Sequence, residues 1–341
     1  MNYPALQFAI IGCGRIAERH ARQISALGSK LVAVCDRDPQ RALDFGLAHG
    51  ARPYPEIGLL LDGEKELDIV VVCTPNGLHA EHSIRALQAG FHVICEKPMA
   101  LHVSDCRDML EAARLARRQL FVVKQNRFNP PVKALKGLLV AGRLGRIYSV
   151  HVNCLWNRNA DYYSNSWKGT MDLDGGILYT QFSHFIDLLY WMIGDITDVK
   201  AFTANLCHQG FIEFEDTGVA CFQFENGALG TLHVSINAYL KNMEGSLTIL
   251  AEKGSVKVGG EYLNLLEYQL LEGTQIPELS SGNSANDYGT YRGSMSNHDK
   301  VYAHVREVIA AGAPNRMDGQ EGLKTVEIIE KIYAAAHGSH H

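Results

Sequence analysis

The sequence predicts an α/β domain with a doubly wound parallel sheet, followed by an α+β domain built on a largely antiparallel open sheet. Three observations carry this. Short apolar runs alternate with helical patterns through residue 125. A glycine-rich connection, Gly12-Cys13-Gly14-Arg15-Ile16-Ala17, joins the first run to the first helix. Beyond Pro130-Pro131 the pattern changes to alternating strands with hairpin signals.

The N-terminal runs are Phe8–Ile11, Leu31–Cys35, Ile69–Cys73, His92–Cys95 and Leu120–Lys124. Helical patterns lie between them at Ile16–Leu27, His79–Ala89 and Ser104–Gln119. Continuous apolar runs of this length suit strands buried on both faces, as in a parallel sheet covered by helices. In the first connection Gly12 permits the tight turn, Gly14 leaves room for a pyrophosphate, and Ala17 allows helix and strand to pack closely. The helix that opens there offers free N–H groups and a partial positive charge. This is the pattern of a Rossmann dinucleotide site. Asp36, at the end of the second run, is placed to bond ribose hydroxyls, which favours NAD over NADP. Arg37 beside it could accept a 2′-phosphate, and an Asp at this place also fits a helix cap. Thr74-Pro75-Asn76 and Glu96-Lys97-Pro98 follow two later strands, where ligands of open α/β sheets bind. Pro98 favours an extended Lys97.

In the C-terminal half, Val132–Ala141 is helical and Arg143–Arg146 reads as a turn. One long helix is expected from about Ile177 to Ile193. Gly218–Glu225 places Ala220, Phe222 and Phe224 on one side, and Asn226-Gly227 signals a hairpin. In Leu229–Asn237, Leu232, Val234 and Ile236 alternate with Thr231, His233, Ser235 and Asn237, so one face is expected in the core. Leu247–Ala251 and Ser255–Val258 complete the sheet. Residues 274–297, rich in Gly, Ser and Asn, read as a long loop. His298–Ala311 and Gln320–Ala336 read as helices. The expected divisions are an NAD-binding Rossmann domain at 1–125, a substrate and oligomerisation domain at 126–318, a C-terminal helix at 319–337, and a tag-like remnant at 338–341.

Composition narrows the function classes. The chain has 341 residues, 46% hydrophobic and 20% charged, with a net charge of −5. Lys and Arg are scattered, so neither nucleic acid nor an anionic membrane is an expected partner. There is no apolar run of about 20 residues to span a bilayer and no leader pattern, so the expected location is cytoplasmic. None of the 8 cysteines pair as C-x-x-C, and no metal site is expected from them. Cys35, Cys73 and Cys95 each end an apolar run as small core residues.

The GxGxxA turn, Thr74-Pro75-Asn76, Glu96-Lys97-Pro98 and a later His184-x-x-Asp187 together resemble the Gfo/Idh/MocA oxidoreductase family over nearly the whole chain. Further stretches are similar to its narrower WlbA/WbpB group: Gln125-Asn126-Arg127-Phe128-Asn129-Pro130-Pro131, Trp156-Asn157-Arg158, Tyr162-Tyr163, Trp167-Lys168-Gly169-Thr170 and Asp174-Gly175-Gly176. Members of that group oxidise the 3-hydroxyl of UDP-N-acetylglucosaminuronic acid for surface polysaccharide sugars. Many family members carry an Asp four residues before the histidine. Here Thr180 stands there, followed by Gln181, which leaves His184 without that carboxylate.

The resemblance implies NAD bound by Gly12, Gly14, Arg15, Ile16, Asp36, Thr74, Asn76, His79, Glu96, Lys97 and Gln125. It implies a nucleotide sugar bound by Lys97, Arg127, Arg158, Tyr163, Trp167, Lys168, Gln181 and His184, in a homotetramer. Lys97 and His184 are expected on either side of the reacting hydroxyl. Either can serve as the base: His titrates near neutrality, and a buried Lys can lose its proton. On the expected long helix Thr180, His184 and Asp187 share a face, so Asp187 would support His184 or reach Lys97. Arg127, Arg158 and Lys168 are candidate anion partners; Tyr163 and Trp167 are candidate stacking surfaces. Two alternatives stay open: a dehydrogenase of a free sugar or inositol, and a non-catalytic NAD-binding regulator.

Overall fold

The computed structural model describes residues 4–164, 166–289 and 291–338. Ser339, His340 and His341 of the tag-like tail lie outside the described residues. The chain forms two compact units. The first runs to Val123 and includes His298–Val326; the second is Lys124–Asn297 with the chain from Glu327 onward.

The first unit alternates strand and helix: β1 (Gln7–Ile11), α1 (Arg15–Ala26), β2 (Lys30–Cys35), α2 (Pro39–His49), β3 (Arg52–Tyr54), α3 (Ile57–Gly63), β4 (Ile69–Val72), α4 (His79–Gln88), β5 (His92–Cys95), α5 (Val103–Ala116) and β6 (Leu120–Val122). The sheet order is β3-β2-β1-β4-β5-β6, and every pair is parallel. This is the Rossmann order, with its switch point between β1 and β4. Phe8, Ala9 and Ile10 of β1 and all of β4 are 0% exposed, as strands covered on both faces require. Helix α1 buries Ala17, His20, Ala21 and Ile24, one stripe at helical spacing. Asp38, not Asp36, caps α2, accepting from the N–H groups of Gln40 and Arg41.

The second unit opens with a 3-10 turn at Gln125–Phe128. It continues with α6 (Pro130–Val140), β7 (Ile147–Leu155), α7 (Ala160–Tyr163), α8 (Ile177–Thr180), α9 (Ser183–Ile193), β8 (Ile196–Ala204), β9 (Thr217–Phe224), β10 (Leu229–Ser235), β11 (Glu244–Ala251), β12 (Gly254–Gly259), β13 (Leu265–Leu271), β14 (Ala285–Asp287) and β15 (Arg292–Met295). Its seven-stranded sheet has the order β13-β12-β11-β7-β10-β9-β8. Only β7 and β10 pair in parallel; the other pairs are antiparallel. Asn226-Gly227 makes the β9–β10 hairpin, with Gly227 at φ 81°. Ala220, Phe222, Phe224, Leu232, Val234 and Ile236 are all buried. Gly230 stands opposite Phe222, and a Cβ there would lie 2.2 Å from the Phe222 ring. The aromatic ring thus occupies the place a side chain would take.

Three features differ from expectation. The helix expected at 177–193 is two helices, α8 and α9, separated by Gln181 and Phe182. Phe182 N–H reaches back to Ile177 O at 3.0 Å, a wider loop than the α-helical bond, and the Thr180 hydroxyl is drawn to Asp174. The 274–297 segment is not all loop, because β14 and β15 pair antiparallel within it. Finally, the chain re-enters the first unit at His298, inside the stretch expected as one substrate domain. There α10 (His298–Ala311) sets Tyr302 against Phe8, with ring centroids 5.8 Å apart. The Val122 N–H then donates to Met317 O at 2.8 Å, which covers the sheet edge. The last helix, α11 (Gly319–His337), begins in the first unit and passes into the second at Glu327.

The alternation in β10 yields a stability test. Leu232 is 2% exposed, so Leu232→Ala should cost about 2–5 kcal/mol. His233→Ala, on the outer face, should cost less than about 1 kcal/mol. Urea unfolding of the two variants checks the difference.

Candidate active site

At the switch point Gly12 is constrained twice. Its φ is 92°, where other residues are strained. A Cβ there would also lie 2.7 Å from the Cys73 carbonyl and 2.8 Å from Thr74 N. The ends of β1 and β4 therefore approach as closely as backbone allows. Gly14 differs: it precedes α1 with φ −82°, and nothing of the chain lies within 4 Å of a Cβ placed on it. The space over the α1 N-terminus is open, as a pyrophosphate needs. Arg15 is exposed and Ile16 half-buried beside it.

Asp36 is buried at the end of β2. Its Oδ2 accepts from Cys13 N–H at 2.9 Å and its Oδ1 from Asp38 N–H at 2.9 Å. Those bonds fix the carboxylate beside the glycine turn, while Arg37 is exposed to solvent. Open space at Gly14, a helix N-terminus and a fixed carboxylate together fit a dinucleotide.

The remaining loops of this unit are cross-tied. His79, expected against the cofactor, lies between two carbonyl oxygens, Pro98 O at 2.7 Å and Thr74 O at 2.9 Å. Burial pushes its pKa down, although the two carbonyls favour the protonated ring. The ring thus joins the loop after β4 to the loop after β5. Thr74 Oγ1 also meets His82 Nδ1 at 3.1 Å, and Asn76 is buried. Glu96, expected to face the cofactor too, turns inward: His20 Nε2 lies 2.9 Å and His298 Nε2 3.3 Å from its Oε1. Burial raises a carboxyl, but these two partners hold Glu96 well below its usual range. Lys97 is half-buried, and its backbone N–H donates to Glu96 Oε2 at 3.1 Å.

In the second unit the 3-10 turn meets α9. His184 is 6% exposed. Its Nε2 lies 3.2 Å from Gln125 Nε2 and 3.5 Å from Ser294 Oγ on β15. With the Gln125 amide nitrogen turned toward the ring, Nε2 is the acceptor, an assignment that rests on which way the amide points. Gln125 is expected against the cofactor; the structure puts its amide on the histidine. Asp187 accepts two bonds from Arg127, Nε to Oδ2 and Nη2 to Oδ1, each 2.7 Å, and one from Lys124 Nζ. Burial would raise the Asp187 carboxyl, but Arg127 and Lys124 reverse this and hold it well below its usual range. Asp187, expected to support His184 or reach Lys97, accepts these bonds from Arg127 and Lys124.

Arg127, expected as an anion partner, has a buried guanidinium forked onto Asp187. Arg158 is likewise internal. It donates to Asn242 Oδ1 at 3.2 Å and Arg292 O at 3.4 Å, and it lies over the rings of Trp156, Tyr162 and Tyr291 at 5.0–5.3 Å. Tyr163 is buried against His208, and burial pushes its hydroxyl pKa up. Gln181, in the break between α8 and α9, donates to Tyr162 OH at 3.3 Å. Lys168 and Trp167 are half-exposed, with Lys168 Nζ 4.4 Å from the Tyr162 ring centre and 5.6 Å from that of Trp167. The Thr180 hydroxyl donates to Asp174.

Sequence reasoning misses Ser294, Lys124, His20 and His298. Lys124 is readable only as the end of a strand, and Ser294 lies in a stretch that reads as loop.

Residues 6–124 match the model of the Gfo/Idh/MocA oxidoreductase family's NAD-binding Rossmann fold, and residues 132–257 match the family's C-terminal domain. The chain belongs to the Gfo/Idh/MocA oxidoreductase family. This family member is similar to the WlbA dehydrogenase of Bordetella pertussis, solved with NADH and UDP-GlcNAcA: 37% identity, TM-score 0.89, 98% of this chain and 97% of that one. The WlbA dehydrogenase of Chromobacterium violaceum, solved with the same pair, is similar at 37% identity and TM-score 0.88, over 99% and 95% of the chains. Inositol 2-dehydrogenase 2 of Saccharopolyspora erythraea is 30% identical over 80% of this chain and 78% of its own length. As a Gfo/Idh/MocA oxidoreductase the chain uses NAD.

The open space at Gly14 can be tested directly. Gly14→Ala should fold normally, because its Cβ meets no chain atom. It should weaken NADH binding by at least about tenfold, or 1.4 kcal/mol. Fluorescence titration measures the affinity and a thermal melt the fold.

Proposed function

We propose that the protein oxidises the 3-hydroxyl of a UDP-N-acetylamino-sugar uronate, as a UDP-GlcNAcA 3-dehydrogenase. The observation that carries this reading is the likeness to WlbA dehydrogenases over essentially the full chain, at 37% identity. The reading also carries a place in surface polysaccharide sugar synthesis, a cytoplasmic location and a homotetramer.

Oxidation of the secondary alcohol breaks the C3–H and O–H bonds and forms a ketone. NAD, when bound, supplies the acceptor for the hydride. The chain must hold the oxygen and remove the proton. Lys97 suits the holding of the oxygen, because an ammonium on a loop tied at Glu96 and Pro98 stabilises negative charge developing there. His184 suits the removal of the proton, because a neutral imidazole offers a ring nitrogen that can receive it. Gln125 and Ser294 orient that ring. With Arg127 and Arg158 engaged internally, Lys168 and Trp167 are the half-exposed candidates for substrate phosphate or sugar.

A second reading, a free sugar or inositol dehydrogenase, is favoured by the 30% identity to inositol 2-dehydrogenase 2. A substrate panel separates the two. NADH absorbance is followed with UDP-GlcNAcA, UDP-GlcNAc and myo-inositol, with and without 2-oxoglutarate to recycle retained cofactor. Turnover with the uronate alone is expected; turnover with myo-inositol alone would replace the proposal by the second reading. Lys97→Met and His184→Asn should each lower kcat on the order of 10²-fold or more, while NADH affinity changes less than about twofold. Full turnover in either variant removes that residue from the chemistry.

A further inference from the structure

Away from the glycine turn, the first unit buries a polar cluster that the proposed chemistry does not use. His20 of α1, Glu96 after β5, and His298 and Tyr302 of α10 are 0%, 5%, 1% and 0% exposed. His20 Nδ1 lies 2.8 Å from the Tyr302 hydroxyl and its Nε2 lies 2.9 Å from Glu96 Oε1. His298 Nε2 approaches the same carboxylate oxygen at 3.3 Å. The other oxygen, Oε2, accepts the backbone N–H of Lys97 at 3.1 Å.

We propose that His20, Glu96, His298 and Tyr302 form a positioning network for Lys97. The proposal rests on the reading that Lys97 acts on the substrate oxygen. Burial pushes the His20 pKa down, against the pull of Glu96, and a neutral imidazole carries one ring proton. If the Tyr302 hydroxyl donates to Nδ1, that proton sits on Nε2 and faces Glu96. His298 donates to the same oxygen from its own Nε2–H. A carboxylate this deeply buried persists as an anion only when hydrogen bonds answer it. Two imidazole N–H groups answer one oxygen, which leaves the second free to hold the Lys97 amide. The network therefore fixes the backbone from which the lysine side chain projects, and a displacement of about 1 Å there can cost on the order of 10²-fold in rate. Three of the four, His20, Glu96 and His298, offer two imidazole nitrogens and a carboxylate oxygen within 4.8 Å of one another, a set that also suits a divalent cation. That competing occupant is an outcome of the test.

The test compares Glu96→Gln, His298→Phe, His298→Gln and Lys97→Met in the full-length chain with NAD. Glutamine places its Nε2 near the histidine Nε2, so it keeps the donor but is a poor metal ligand. Glu96→Gln and His298→Phe are expected to lower kcat on the order of tenfold or more, with KM and NADH affinity changed less than about twofold. His298→Gln is expected to restore kcat to within about threefold of the parent. A merely structural role would lower the melting temperature of His298→Phe and Glu96→Gln and leave the kcat of the folded fraction unchanged. If Glu96→Gln does not fold, the two His298 variants carry the comparison. Parental kcat in Glu96→Gln or His298→Phe, with Lys97→Met inactive, overturns the network and leaves the proposed function standing. An active Lys97→Met overturns the role of Lys97 and the network with it. Stoichiometric metal by mass spectrometry, lost equally in His298→Phe and His298→Gln, replaces the network by a metal site.

Discussion

A carboxylate taken out of water loses its hydration and must be answered in place by donors or cations. Each unit of this protein buries such a group beside a residue proposed for the chemistry. In the first, Glu96 is answered by two histidines and in turn holds the amide of Lys97. In the second, Asp187 is answered by Lys124 and a forked Arg127, one helical turn from His184. Removing one partner of such a group strands a buried charge, at about 3–5 kcal/mol. The answered carboxylates therefore specify local geometry more strongly than apolar packing of the same size, because donors must arrive at particular angles as well as particular places.

Around these charges the backbone does the remaining positioning. The 3-10 turn at Gln125–Phe128 gives its side chains different duties on one helix, with Gln125 on His184 and Arg127 on Asp187. In the first unit, the contact between the ends of β1 and β4 excludes any side chain at Gly12. His79 then ties the loop after β4 to the loop after β5. Lys97 is thus held by its neighbours on both sides along the chain, through Glu96 and through the Pro98 carbonyl.

What is legible in the sequence is local. The glycine turn, Asp36 and the strand-end loops announce themselves within a few residues, because a tight turn or a fully buried strand restricts the residues at that spot. The alternation in β9 and β10 is readable for the same reason. Partners distant along the chain are not legible: His20 and His298 meet across 278 positions, with no pattern linking them. Arg127 and Arg158 read as anion binders because their internal partners, Asp187, Asn242 and the ring of Tyr291, come from other elements. The break before α9 is hidden because Gln181 and Phe182 continue an apolar pattern with no Gly or Pro. At the break the Thr180 hydroxyl donates to Asp174, a contact that periodicity does not record.

Ser294, near His184 Nε2, lies on the two-stranded ribbon of β14 and β15 rather than on the main sheet. A ribbon of this size is marginal by itself. It is anchored at its end by Asn297, whose amide donates to Gln125 O at 3.1 Å and to Asn129 Oδ1 at 2.7 Å. The histidine thus draws one neighbour from a rigid helix-adjacent turn and the other from an appendage. Changes in the length or sequence of that appendage can retune the surroundings of the imidazole while the seven-stranded sheet stays untouched. Such a division gives a lineage of enzymes a place to vary chemistry without re-founding the scaffold.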